Sequence, residues 1–387
     1  MFAQKYSMPF YSLNTIIDFL EPVCLLNHTN ETGFKKNQLG KSIKIYTEHF
    51  PEIDKADIIF IGCGEYRGEA GGGFTNDSPN AVREELYHLY QWHDSLELAD
   101  VGNIKMGATI KDTYAALQTV ITELLQHGKR VVILGGSHDL TIAQYEVYAK
   151  AEKIIEMVNV DATINIDMEQ PAPAENFLMH ILTSEPNFVR HYNHIGFQSY
   201  YVHPGMLEMI DKLRFDCYRL GKIKEDMEEM EPVIRNAAMV SFDMSAIQYC
   251  HAPANRFSPN GFTGEEACML MQYAGMSPAL TTLGIYGFRS NGDVQGITAK
   301  QVSQMIWYFM DGIYKGKQES AMENTSEFNE YKIAFADVES FFLQSKRTGR
   351  WWMRMPDGRL IACSHNDYIV STQNEIPERW MRAMERD

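Results

Sequence analysis

The sequence predicts an α/β protein with a mostly parallel sheet covered on both faces. Two observations carry this reading. Apolar runs of strand length alternate with helical patterns through the middle of the chain, and the runs end in glycines or acids. At 387 residues and 45% hydrophobic composition, the chain is long enough to bury a sizeable core.

The first run, residues 57–62, is rich in β-branched residues and closed by glycine, as a buried strand would be. From Asp112 the period changes: Leu117, Val120, Ile121, Leu124 and Leu125 recur at helical spacing, with Asp112 as the expected N-cap and Gly128 just past the end. Residues 130–134 form the next strand. Further strands are expected at 154–161, 194–199, 237–243 and 283–288, separated by segments long enough for crossover helices. Residues 1–56 show no strand–helix repeat and read as an N-terminal extension. Residues 315–329 are polar and read as a linker or loop. Beyond them, Trp351–Met355 and Arg359–Cys363 flank the turn tripeptide Pro356-Asp357-Gly358, predicting a β-hairpin packed on the main domain or on a neighbouring subunit. A short helix from Pro377, with Trp380 and Met384 on one side, ends the chain.

Composition narrows the partners. Against 51 Asp and Glu stand 35 Lys and Arg, a formal charge of −16 that repels phosphate backbones and anionic lipid, so neither nucleic acid nor a membrane surface is expected. Six scattered cysteines without a CxxC pair argue against a disulfide framework or structural zinc, and point to reduced thiols in the cytoplasm. The glycosylation-type triplets at Asn27, Asn30 and Asn324 are then chance matches. The glycines at 71–73 lack a following Lys-Ser/Thr, so a phosphate cradle is not expected.

In parallel sheets ligands bind beyond the carboxyl ends of the strands. There the sequence places Gly135-Gly-Ser-His-Asp139 after one run, Asp161 after a second and Asp243 after a third. One imidazole with several carboxylates suits a hard divalent cation such as manganese. Each acid alone is also what a helix cap or a loop hydrogen bond would use.

The local strings Gly135-Gly-Ser-His-Asp139, Asn159-Val-Asp-Ala-Thr-Ile-Asn165 and Ser241-Phe-Asp-Met-Ser245 resemble, in order and spacing, those of the ureohydrolase family, which includes arginase, agmatinase and formimidoylglutamase. The resemblance extends through residues 61–86, Ala99–Asn103 and His194–Gly196, and covers roughly 57–315. It implies a three-layer α/β/α arginase-like fold between the N-terminal extension (1–56) and a C-terminal hairpin and helix appendage (316–387), and a homo-oligomer. It also implies two manganese ions bridged by a hydroxide that attacks a guanidinium or formimino carbon. Carried over position by position, the first ion's ligands are His138, Asp161, Asn165 and Asp243, with Asn165 lacking the family's charge. The two ligands private to the second ion fall on Thr163 and Ser245, both neutral. The family's last-strand Glu falls near Gly287, and the arginase proton-shuttling His aligns loosely with His180, which is as readily a satisfied polar residue.

The expectation is therefore an arginase- or formimidoylglutamase-like chain that binds one manganese ion or none and has lost the two-metal chemistry, working as a binding or structural protein for a small molecule or a protein partner. The alternative is a single-metal hydrolase of C–N bonds in a guanidino or formimino compound, with Asp139 or Asp167 as a substitute ligand. A third reading has Thr163 and Ser245 donating to an anion in the same cleft.

Overall fold

A computed structural model describes residues 13–25, 33–70, 77–167, 169, 172–255, 257–335 and 338–386. Asn27, Asn30 and the glycines at 71–73 lie outside the described residues. The main sheet contains β1 (Leu20–Glu21), β2 (Lys44–Ile45), β3 (Ile58–Gly62), β4 (Leu98–Ile104), β5 (Arg130–Leu134), β6 (Ile155–Val160), β7 (Val189–Phe197), β8 (Asp216–Arg219), β9 (Met239–Asp243) and β10 (Thr282–Tyr286). Their order is β1-β4-β3-β5-β10-β9-β6-β7-β8, with β2 also on β4. Pairing is parallel throughout except for β1, which runs antiparallel to β4.

Helices of eight residues or more in this part are α1 (Ser78–Leu86), α2 (Ile110–Gln126), α3 (Leu140–Lys150), α4 (Pro173–Leu182), α5 (Pro204–Lys212), α6 (Gly264–Met276) and α7 (Ile297–Gly316). Side chains alternate across a strand, and this sorts the helices into two layers. Ile58 and Phe60 pack with Val82 of α1, Met271 of α6 and Ile306 of α7. Ile59 and Ile61 face the other way, onto Leu117 and Val120 of α2 and Ala143 of α3. Farther along, Met157 and Tyr192 meet Tyr145, Phe177 and Ile210 from α3, α4 and α5. Each fully buried aliphatic or aromatic side chain of this kind contributes roughly 1.5–3 kcal/mol, which fixes both layers on the sheet.

Several local expectations are corrected. The N-cap of α2 is Thr109, whose hydroxyl accepts from the Asp112 amide; Asp112 is the third helical residue and reaches back to Thr109 N in a capping box. Gly128 does follow the helix end with φ +70°. Strand β7 starts five residues earlier than predicted. Strand β4 was not anticipated because Asp100 and Asn103 interrupt its apolar pattern. Both are satisfied internally: the buried Arg83 guanidinium donates to the two Asp100 oxygens at 2.8 Å and reaches Asn103, and Tyr87 donates to Asp100 at 2.8 Å.

The C-terminal appendage is larger than one hairpin. Strands β11 (Phe328–Phe335), β12 (Val338–Ser345), β13 (Trp351–Arg354) and β14 (Leu360–Cys363) form an antiparallel meander, and the predicted hairpin is its last pair. Helices α8 (His365–Thr372) and α9 (Glu378–Glu385) follow. On α9, Trp380 and Ala383 are buried while Met384 is exposed, so Met384 does not share the packed face. The meander is joined to the main layers by charge. Arg235, just before β9, donates to Trp351 O at 2.6 Å, pairs with Glu231, and lies 4.5 Å from the Trp352 ring centre. Arg350 adds a second guanidinium to Glu231 at 3.0 Å.

Replacing Arg235 by Ala strands Glu231 against Arg350 alone and exposes the Trp352 face. A loss of about 3 kcal/mol in urea unfolding, with faster proteolysis of residues 328–386, is the expected result; an unchanged midpoint would contradict this view of the seam.

Candidate metal centre

The centre is assembled from strands that are neighbours in space rather than in sequence. His138 sits in the turn between β5 and α3, Asp161 directly follows β6, and Asp243 is the last residue of β9. Strand β10 lies between β5 and β9, and β6 lies beside β9, so all three side chains emerge at one edge of the sheet. His138, Asp161 and Asp243 are buried, at 4%, 1% and 9% exposure. His138 Nδ1 lies 3.1 Å from Asp161 Oδ2 and 3.5 Å from Asp243 Oδ2. One donor atom from each residue falls within 4.8 Å of the others, and among the described residues this is the only His, Cys, Asp or Glu group with that property.

The orientation of the imidazole is set from behind. His138 Nε2 is 3.1 Å from Asn159 Oδ1 and 2.9 Å from Ser241 Oγ, and Thr141 Oγ1 meets the same Ser241 hydroxyl at 2.8 Å. With the Asn159 oxygen as acceptor, Nε2 carries the proton and the Nδ1 lone pair faces two carboxylates. That juxtaposition is repulsive unless a positive charge lies between them. In keeping with this, His138 Nδ1 and Asp161 Oδ2 are buried atoms that make no hydrogen bond. Without a cation between them the same carboxylates favour a proton on Nδ1 instead: burial opposes the imidazolium at His138, but Asp243 and Asp161 outweigh it and the pKa is raised. Burial likewise opposes the Asp161 carboxylate, yet His138, and after it Ser245, hold its pKa low. Asp243 goes the other way: burial raises its pKa, the His138 charge opposes, and the Asp161 charge reinforces. The trio thus has the donor set and the local field of a cation site.

The remaining predicted positions surround the trio differently. Ser245 Oγ donates to Asp161 Oδ1 at 2.6 Å, and Ser245 N donates to Asp243 Oδ1 at 2.7 Å. Thr163 N donates to the same Asp161 Oδ1 at 3.1 Å. Asn165 accepts from Thr163 Oγ1 at 3.2 Å and donates to Ala174 O at 2.7 Å. Asp139 is not in the trio; its carboxylate accepts from Tyr114 and lies against Gly68. Asp167 Oδ1 accepts from the Glu169 amide. His180, in the last turn of α4, is exposed with its Nε2 3.6 Å from Glu146 of α3. The α4 residue that reaches the centre is Phe177, whose ring lies 4.4 Å from that of His138.

Asn159, Ser241 and His194 were missed by sequence reasoning. The signal was available: Asn159 and Ser241 each stand two residues before a candidate acid, and the strands pair Asn159 with Ser241 and with His194. His194 is fully buried. Its Nε2 lies 3.2 Å from Asp161 O and its Nδ1 2.8 Å from Tyr192 OH, the pattern of a neutral ring donating to a carbonyl and accepting from a phenol.

Comparison with known proteins places the chain. The model of the arginase family matches residues 56–311. The chain belongs to the arginase family. A formimidoylglutamase of Lysinibacillus sphaericus is 24% identical over 306 residues, spanning 75% of this chain and 94% of the relative. An agmatinase of Edwardsiella ictaluri is 20% identical over 65% of this chain and 86% of its own. Among solved structures, the formimidoylglutamase of Bacillus subtilis superposes with a TM-score of 0.65 at 15% identity, over 75% of this chain and 96% of that one. The Trypanosoma cruzi formiminoglutamase solved with Mn2+ gives 0.62 at 17% identity, over 68% and 95%. The arginase fold expected from the sequence is therefore present, extended by the C-terminal antiparallel sheet. Among the described residues of this arginase-family chain, no helix is long and apolar enough to cross a membrane.

Burial lowers the His194 pKa to about 4. Between that value and the usual 6.5 the unfolded chain binds the proton more readily than the folded one. The contribution is thus complete above pH 6.5 and lost as pH falls through 4, about 3 kcal/mol in all. His194→Gln removes this titration: the gap in unfolding free energy between wild type and variant is expected to narrow by that amount from pH 7 to pH 4. A gap constant with pH would refute the neutral assignment.

Proposed function

We propose that this arginase-family protein holds a single divalent cation at His138, Asp161 and Asp243, has lost two-metal hydrolysis, and acts as a binding or structural protein with at best residual turnover. One observation carries the reading. The carboxylate oxygens turned away from His138, Asp161 Oδ1 and Asp243 Oδ1, both accept hydrogen bonds from Ser245, and Asp161 Oδ1 accepts from Thr163 as well. A second cation shared by these two acids would need carboxylate oxygens not already engaged by such donors. Here neutral donors engage both, and no imidazole or carboxylate stands at 163 or 245 to bring a second ion back.

For the first ion the fit is good: one imidazole nitrogen and two carboxylate oxygens converge, two of them buried and without hydrogen bonds. A cation held there supplies Lewis acidity. The chain's own groups do the rest. Asn159 and Ser241 fix the ring, Ser245 fixes both acids, and Phe177 walls off the trio. Because these features would also serve slow hydrolysis of a guanidino or formimino compound, single-metal catalysis is the second reading, favoured by the similarity to formimidoylglutamases. A homo-oligomer and a cytoplasmic setting belong to the same proposal, on the strength of the family and the free cysteines.

Protein purified in excess manganese is expected to carry no more than one ion per chain by mass spectrometry and to release neither urea from arginine nor formamide from a formimino substrate at an enzymatic rate. Thr163→His combined with Ser245→Asp is expected to raise the content toward two. Two ions on the wild type, or rapid turnover, would overturn the proposal.

A further inference from the structure

Strand β10 ends between the two strands that carry His138 and Asp243, and the first residue beyond it is Gly287. Its φ is +77°, and its amide donates to Gly136 O at 2.8 Å, stitching β10 to the turn that presents His138. A Cβ at this position would lie 2.5 Å from Asp243 Oδ2 and 3.0 Å from Oδ1. The Asp243 carboxylate therefore occupies the space that any side chain at 287 would need. It has little freedom to retreat, because Ser245 N holds Oδ1 at 2.7 Å and the residue is only 9% exposed.

We infer that Gly287 is a positioning residue for the cation site: by having no side chain, it lets Asp243 reach across the end of β10 to the oxygen position facing His138. The inference rests on the single-cation reading above.

The test is manganese affinity by calorimetry, with thermal melts as the check on folding. Wild type is expected to bind one ion. Gly287→Ala and Gly287→Asn both add a Cβ, and Asn tolerates positive φ, so a strain effect would separate the two while a space effect would not. Both are expected to bind at least about tenfold more weakly than wild type. A relocation variant completes the set. Asp243→Ala alone is expected to lose the ion, and Asp243→Ala with Gly287→Asp, which presents a carboxylate from the other side of the same space, is expected to regain part of the affinity. Wild-type affinity in folded Gly287→Asn, or no recovery in the relocation variant, would overturn the inference while leaving the single-cation reading intact. No binding by wild type would overturn both.

Discussion

Parallel strand pairing is the constraint from which the rest follows. Because β3 to β10 run the same way, each strand's carboxyl end opens on the same edge, and each return must pass over a face of the sheet. Two helical layers and a polar rim are consequences of that one directional rule. It explains how His138, Asp161 and Asp243, spread over 106 residues of sequence, come within hydrogen-bonding range. The strand order then decides who meets whom, since β10 inserts between the His-bearing and Asp-bearing strands and makes its own end residue part of the geometry.

Electrostatics explains the character of the centre. Two buried carboxylates would repel each other and the imidazole lone pair, and the chain meets that problem in two ways. On one side Ser245 and Thr163 supply neutral hydrogen bonds; on the other, three atoms are left to converge on a place suited to a cation. The second layer, Asn159, Ser241 and Thr141, is uncharged, so it orients the imidazole without adding to the field.

The sequence was legible where one physical signal dominated. Strands β3, β5, β9 and β10 were readable because continuous apolar runs ending in glycine or acid have few other uses, and the strand-end rule then pointed to His138, Asp161 and Asp243. Legibility failed where polar residues were satisfied by distant partners. Strand β4 carries Asp100 and Asn103 because Arg83 of α1 waits for them, which no local window can reveal. The first half of the C-terminal meander carries no strand expectation, and its first two residues fall in the expected linker (315–329), for a related reason: exposed Asn329, Glu330 and Lys332 break the apolar pattern of β11. Asn159 and Ser241 lie two residues inside the strand ends, short of the positions to which the strand-end rule points. The hydroxyls at 163 and 245 were recognised as departures, but their role as donors to Asp161 and Asp243 needed three dimensions.

The N-terminal extension, unreadable as a repeat, completes the sheet in an unusual way. The outer side of β4 is shared by two short strands, β2 alongside Ala99 and Asp100 and β1 against Asn103 and Ile104, with one parallel and one antiparallel. A two-residue strand adds little stability of its own, yet together the pair occupies most of a backbone edge whose amides and carbonyls would otherwise be open to any extended chain. The extension therefore works as a stopper. Without β1 and β2 the outer edge of β4 would be open to pairing with a foreign strand.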